Sequence, residues 1–338
     1  MLHAMNRKSR AIINPKTTTL SSEAATSDFL ADVIAGLSHK SRALPYKYFY
    51  DARGARLFQK ICELPEYYIT RTEIDILERH GAEIASDLGP DVELIGLGTG
   101  AGTKTRILIE GLDKPAVYMP VDISEKQLYE SAALFRQIFP DLEVLPVCAD
   151  YLQPVVLPTP RRNASHKVVY FPGSTLGNFE PHDAADFLRR IARLCGNGGG
   201  LLIGVDLQKD PDLIEAAYND AQGVTAEFNL NLLVRANREL GADFDLQQWR
   251  HRAIYNSNEG RIEMYLISEK PQVVHIEGHA FSFRAGEKIL TEYSYKHTPE
   301  SFSKLANSAG FEFQRMWTDE RRLFGLFYFT ALPEGTGD

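Results

Sequence analysis

The stretch Val92-Glu93-Leu94-Ile95-Gly96-Leu97-Gly98-Thr99-Gly100-Ala101-Gly102-Thr103-Lys104-Thr105-Arg106 constrains the fold of this chain more than any other. A short apolar run ends in closely spaced glycines, and a helix-capable segment, Thr103 to Leu112, follows at once. That order spells a strand, a tight turn and a helix N-terminus. Glycine suits a turn that needs positive φ, or a backbone that a ligand must approach closely. Free N–H groups at a helix start face an anionic or hydrogen-bonding ligand. The spacing then excludes two kinds of loop. A Walker phosphate loop needs Gly followed directly by Lys and Ser/Thr, and Thr103 intervenes; a dinucleotide fingerprint needs G-x-G-x-x-G, and the glycines here are Gly98-x-Gly100-x-Gly102.

Around this turn the pattern alternates between strand and helix. Glu93–Leu97, Ala116–Asp122, Glu143–Cys148, Lys167–Pro172 and Leu201–Leu207 read as strands. Thr103–Leu112, Ser124–Phe139 and Asp183–Cys195 read as helices, the second opened by a capping box of Ser124 and Gln127. The alternation predicts an α/β fold with a mostly parallel central sheet covered on both faces. From about Lys209 the pattern changes to two nearly continuous helical segments (212–219 and 223–240), followed by antiparallel strand candidates at 249–255, 261–268, 272–276 and 279–283. This is an α+β insertion. A helix capped by Thr298 with Pro299 at its first position, and strands at 312–318 and 323–331, close the chain. Ahead of the sheet, residues 1–25 read as a mobile lead-in, Ser27–Leu37 as an amphipathic helix, and Gly54–Glu63 and Arg71–Ala85 as helices on either side of a Leu64-Pro65-Glu66-Tyr67-Tyr68 turn.

Composition excludes several classes of function. A net charge of −8 argues against a general nucleic-acid or anionic-membrane surface, and no window approaches the ~20 apolar residues of a membrane span. The basic N-terminal segment lacks the apolar core of a secretory signal. Three cysteines, Cys62, Cys148 and Cys195, are too few and too scattered for a disulfide framework; two lie in apolar runs that predict buried, inert thiols and a reducing cytoplasm. His275 and His279, the closest histidine pair, would share one face of a strand, but no third ligand is near, so no metal is expected.

Three marks stand at the ends of three consecutive strands: the glycine turn, Asp122, and Ala149-Asp150-Tyr151. Open α/β sheets bind ligands along this edge, and an acid after the second strand can accept both ribose hydroxyls of an adenosine. A fourth, Tyr170 to Pro181, places Gly, Ser, Thr and Asn after the fourth strand, where they offer partners for an amine and a carboxylate. The G-x-G-x-G form resembles motif I of the class I Rossmann-like methyltransferases that use S-adenosylmethionine (SAM).

A closer resemblance is carried by Lys47-Tyr48-Phe49-Tyr50-Asp51, Leu64 to Glu73, Gly98 to Arg106, Pro120 to Ser124, Phe171 to Pro181, Ala217 to Asn229, Arg261-Ile262-Glu263-Met264 and Thr291-Glu292-x-Ser294. In these stretches the chain resembles the histidine Nα-methyltransferases of ergothioneine biosynthesis, insertion included. The resemblance implies a SAM-binding domain over residues 32–208 and 298–338, an inserted substrate-binding domain over 209–297, and a segment 1–31 that contributes to the latter. It implies that Tyr50, Gly98, Gly100, Lys104, Asp122, Asp150 and Tyr151 hold SAM. Tyr67, Asn178 and Tyr218 would bind the α-carboxylate of L-histidine or its mono- and dimethyl forms, with the Gly173 backbone near the amine. Thr225 would lie beside them, Met264 would pack near the ring, and Glu292 and Ser294 would read the imidazole. Tyr50 and Asn178 would stand at the reacting amine. The Tyr50 hydroxyl is a candidate proton relay through water and equally a packing aromatic; no strong base is visible in the amine pocket. One departure is Gly96, where an acid usually stands two residues before the first motif glycine. The implied protein is a cytoplasmic monomer. Alternatives are methylation of another amino acid, such as tryptophan, and a non-catalytic ligand-binding relative.

Overall fold

The computed structural model describes residues 22–100 and 102–333. The expected lead-in therefore lies mostly outside the described residues, and residues 22–25, expected to be aperiodic, are already helical. Helix α1 is Ser22–Ser38, α2 is Ala52–Glu63 and α3 is Tyr68–Leu88. The alternating part follows as β1 (Glu93–Leu97), α4 (Thr103–Gly111), β2 (Val117–Asp122), α5 (Glu125–Ile138), β3 (Glu143–Val144), β4 (Val147–Cys148), β5 (Lys167–Phe171), α6 (Pro181–Cys195) and β6 (Gly200–Asp206). Then come α7 (Pro211–Tyr218), α8 (Val224–Leu240), β7 (Trp249–Asn256), β8 (Arg261–Ser268), β9 (Gln272–Ile276), β10 (His279–Phe283) and β11 (Lys288–Tyr295). The chain closes with α9 (Pro299–Ser308), β12 (Phe311–Thr318) and β13 (Phe324–Ala331).

The main sheet runs β12-β13-β6-β5-β1-β2-β3, with β4 also on β2. Strands β6, β5, β1, β2, β3 and β4 are parallel, while β13 and β12 add antiparallel at the edge. Alternate residues of the strands feed two separate cores, because successive side chains of a strand point to opposite faces. Leu94, Tyr118, Val168, Tyr170 and Leu202 meet α3, α4 and α5 on one face. Ile95, Met119, Val169, Phe171 and Ile203 meet α6 and α9 on the other. All of β1 is buried, which is why it reads as an uninterrupted apolar run.

Four local expectations are corrected. The third strand is two short pieces, β3 and β4, because Pro146 falls between them and has no N–H for the ladder. Ser124 caps α5 without a side-chain bond; its backbone N–H instead donates to Asp122 Oδ1 at 2.9 Å, so the Ser124–Gln127 capping box is not formed. His275 and His279 lie on different strands of a hairpin, separated by Glu277 and Gly278 at positive φ. Cys195 is buried as expected, but Cys62 is only half-buried and Cys148 is exposed; all three are free. At α9 the expectation holds, and Thr298 and Ser301 close a full capping box over Pro299.

The inserted strands form a separate antiparallel sheet, β11-β8-β7, beside the β9–β10 hairpin. Strand β11 was not expected at all. It carries a bulge between Leu290 and Glu292 and runs against the loop after β5, where a Cβ on Gly177 would lie 2.8 Å from the Tyr295 carbonyl oxygen. This close approach brings the loop's Asn178 to the insertion. On the other side, Arg235 of α8 donates to the Tyr48 carbonyl at 3.0 Å, and Arg238 pairs with Asp51 at 2.7 Å. No helix among the described residues is long and apolar enough to cross a membrane.

Candidate active site

The glycine turn adopts the conformation its composition demands. Gly98, Gly100 and Gly102 have φ of 58°, 53° and 78°, values that L side chains rarely adopt. The turn ends at Gly102, the N-cap of α4. Beside it, at the end of β2, Asp122 accepts from the Ser124 N–H and, at 3.4 Å, from the Gly100 N–H. Burial raises its pKa, and the backbone N–H groups oppose that. Asp150 accepts from the Leu152 N–H at 2.8 Å. The Tyr151 ring packs edge-on against Phe171, and a Cβ on Gly98 would lie 3.2 Å from it. These residues gather at the carboxyl ends of β1, β2 and β4. They combine bare backbone, an acid that accepts hydrogen bonds and an aromatic ring, the kinds of group that can meet an adenosine. The departure at Gly96 has a steric reason: a Cβ there would lie 2.6 Å from Thr99 Cγ2 and 3.2 Å from the Tyr118 ring.

A cavity of about 550 Å³, open solvent at its mouth included, lies between the loop after β5 and the insertion. Tyr50, Tyr67, Gly173, Asn178, Tyr218, Thr225, Met264, Glu292 and Ser294 all line it, so residues spread over 245 positions of sequence converge. Each is placed by its own element. Tyr67 precedes α3 in a turn gripped by Arg71, which donates to the Leu64 and Tyr67 carbonyls at 2.9 and 3.1 Å. Asn178 ends the short 3-10 turn Thr175–Asn178. Tyr218 ends α7, and Thr225 opens α8, its N–H donating to Asp220 Oδ1 at 2.8 Å. Met264 of β8 is directly paired with Glu292 of β11.

Glu292 decides the electrostatics of the cavity. Its side chain is 9% exposed, and its carboxylate has no hydrogen-bond partner among the described residues. Burial pushes its pKa up to about 7, against the lowering pull of the Lys296 cation. Tyr50 is 42% exposed and lines the cavity. Burial of its hydroxyl, with Glu292 and Tyr151 nearby, raises its pKa well above 10. It is therefore a phenol at neutral pH, able to pass a proton only by exchanging its own.

Between the glycine turn and the cavity lies a buried ion pair. Lys104 Nζ stands 2.5 Å from Glu73 Oε2, and the same oxygen accepts from the Gly173 N–H at 2.9 Å. Tyr170 donates to Glu73 Oε1 at 3.3 Å. Lys104 thus joins the two halves of the site instead of standing with the glycine turn alone. The Ser174 hydroxyl, on a residue at φ 57°, accepts from the Asp206 N–H at 2.9 Å. Glu73, Asp206 and Lys296 carried no functional expectation. Two had a readable signal: Glu73 closes one of the resembling stretches, and Lys296 continues the period-two row of Glu292 and Ser294.

The family described as "Histidine-specific methyltransferase, SAM-dependent" matches residues 29–331. The chain belongs to this family. It is 40% identical over 313 residues to a histidine N-alpha-methyltransferase of Mycolicibacterium smegmatis, covering 91% of this chain and 96% of that one. It is 39% identical over 300 residues to one of Mycobacterium tuberculosis, covering 87% and 92%. Against ergothioneine biosynthesis protein 1 of Neurospora crassa it is 32% identical over 284 residues, covering 82% of this chain and 32% of the other. The expected family and the expected α/β class both stand. Among the described residues of this family member, no group of three His, Cys, Asp or Glu side chains could hold a metal ion.

Asp122→Ala is expected to weaken S-adenosylhomocysteine binding about 10–100-fold in calorimetry, as loss of charged hydrogen bonds would. An unchanged affinity would remove Asp122 from the donor site.

Proposed function

We propose that this protein transfers methyl groups from SAM to the α-amino nitrogen of L-histidine, through the mono- and dimethyl forms, to the trimethyl betaine hercynine of ergothioneine biosynthesis. The observation that carries this reading is Glu292, a buried, unpartnered carboxylate beside Ser294 in the cavity wall. A nitrogen heterocycle satisfies it; an aliphatic or phenyl side chain leaves it unpaired, at a cost of roughly 1–3 kcal/mol or more. Tyr67, Asn178 and Tyr218 hold the α-carboxylate, the Gly173 backbone lies by the amine, Thr225 closes the carboxylate end, and Met264 packs on the ring. Tyr50, Gly98, Gly100, Lys104, Asp122, Asp150 and Tyr151 hold the donor, which supplies an electrophilic methyl group on a sulfonium.

Methyl transfer of this kind needs no covalent enzyme intermediate, so the protein's work is positioning and delivery of a neutral amine. The α-amine is largely protonated at neutral pH and must lose a proton before its lone pair can form the new C–N bond. Tyr50, hydrogen-bonded through water, exchanges that proton outward, and Asn178 helps to orient the amino end. In this reading the protein works as a cytoplasmic monomer on free small molecules, without metal, nucleic acid or membrane. Residues 32–208 and 298–338 form the donor-binding domain, and residues 209–297 an inserted substrate-binding domain to which residues 1–31 contribute.

Incubation with labelled SAM and single amino acids tests the reading. Histidine is expected to gain mass in one-methyl steps up to three. Transfer to tryptophan in preference to histidine, or to no amino acid, would overturn it.

A further inference from the structure

Beneath the cavity lies a lysine that does not line it. Lys296 follows β11 and its side chain has no exposed surface. Its Nζ stands 2.9 Å from Asp206 Oδ2, 2.9 Å from the Tyr218 hydroxyl and 2.8 Å from Ser294 Oγ. Asp206 is fixed in turn by Lys209 Nζ at 2.5 Å and by the Tyr68 hydroxyl. The charged and titratable groups facing Lys296 are thus Asp206 on β6, Lys209 after it, Tyr218 on α7, Tyr255 on β7, Glu292 on β11 and the neighbouring His297.

We propose that Lys296 is a positioning residue that fixes the direction of the hydroxyl hydrogen bonds in the cavity, so that Tyr218 donates into it and Ser294 accepts from it. This rests on the histidine reading above. A lysine ammonium has three N–H donors and no lone pair, and the three contacts use all of them. Tyr218 and Ser294 each accept from it, and they lie 2.8 Å from one another. One of the two gives its proton to the other, which leaves a single O–H for a ligand. A carboxylate only accepts, so with the α-carboxylate at Tyr218 the free O–H belongs to Tyr218. Ser294 then donates to Tyr218 and keeps one lone pair for the ring.

The ring end of the cavity therefore offers two acceptors, Ser294 Oγ and the Glu292 carboxylate. A ring with only one N–H cannot satisfy both unless a further proton is present. Imidazole can take that proton, since its pKa of about 6.5 is close to that of Glu292. Indole has one N–H and no second basic nitrogen. The specificity attributed to Glu292 thus has a second half, set by a lysine that never touches the substrate.

Two arms test this with the full-length protein. In the first, wild-type protein is offered histidine, β-(pyrazol-3-yl)alanine and β-(4-thiazolyl)alanine, five-membered rings of similar size. The thiazole, which has a ring nitrogen acceptor and no N–H, is expected to be methylated at least about tenfold less efficiently than the pyrazole, which keeps an N–H. Equal use of thiazole and histidine would overturn the proposal. In the second, Lys296→Met is expected to raise KM for histidine about tenfold or more, with kcat within about threefold and S-adenosylhomocysteine affinity unchanged; Lys296→Arg should restore part of the loss. A folded Lys296→Met protein with unaltered KM would overturn the proposal. If Lys296→Met does not fold, Lys296→Gln, which has two N–H donors and an acceptor in place of three donors and leaves the buried Asp206–Lys209 pair intact, is read in the same way. If histidine itself gains no methyl group, the functional reading fails and takes this inference with it.

Discussion

Glu292→Ala is expected to lower kcat/KM for histidine about a hundredfold while changing that for tryptophan far less, so that the preference for histidine collapses. Glu292 lines the cavity with no other hydrogen-bond partner among the described residues; in the proposed reading the ring meets it there, and loss of a charged hydrogen bond of this kind is worth about 1.5–3 kcal/mol. Competition between the two amino acids, scored by product mass, measures it; unchanged selectivity would remove Glu292 from its role. The same carboxyl carries a pH signature in the ligand-free protein. Burial raises it from 4.5 to about 7, so the folded state holds a proton that the unfolded state has released. Its contribution to stability is complete below about pH 4.5 and is lost as pH rises through 7. Glu292→Gln removes that loss. Relative to the wild type, the variant should gain on the order of 3 kcal/mol between pH 5 and pH 8 in urea unfolding. An equal difference at both pH values would refute the pKa shift.

Glu73→Ala is expected to cost about 3–5 kcal/mol of stability, because it strands Lys104 in a nearly buried position without its counter-charge. Packing leaves little room for relaxation. A Cβ on Gly204 of β6 would lie 2.5 Å from Glu73 Oε1, so the glycine is there because the carboxylate occupies the space. The loss should also reach the loop after β5, since the Gly173 N–H donates to the same oxygen that pairs with Lys104. Glu73→Gln keeps the shape and an acceptor for Gly173 and should cost less. Chemical denaturation separates the two; a loss under about 1 kcal/mol for the alanine variant would show that the pair is dispensable.

The parallel core was legible because its physics is local. A strand buried on both faces reads as an apolar run, a helix stop reads as glycine, and the turn between β1 and α4 needs residues that tolerate positive φ. Strand β11 was illegible for the opposite reason. Its cavity-facing positions are Glu292 and Ser294, so the hydrophobic alternation that marks a half-buried strand is absent where the site is. The capping box at Ser124 failed because Asp122, two residues upstream, competes for the same N–H. The ion pairs of Glu73 with Lys104 and of Asp206 with Lys296 were beyond reach, since a buried charge declares itself only through partners brought in by tertiary packing. Motif resemblance supplied what periodicity could not: nine of the fifteen residues it singled out between Tyr50 and Ser294 line one cavity.

The walls around the amine end hold a last consequence. Tyr50 meets Phe58 and Phe228 with ring centroids 5.6 and 5.8 Å apart, and Phe58 meets Tyr67 at 6.3 Å. Over successive turnovers an amino acid's nitrogen loses its hydrogens, gains bulk and ends as a permanent cation that can donate no hydrogen bond. A site that gripped the nitrogen itself would fit only one member of that series. In the proposed reading the grip is on the two ends of the molecule, carboxylate and ring, and the substituents of the nitrogen turn about the Cα–N bond against aromatic surfaces. Such surfaces attract a methylated ammonium as readily as a bare one, so on the proposed reading a single rigid pocket serves three different acceptors in turn.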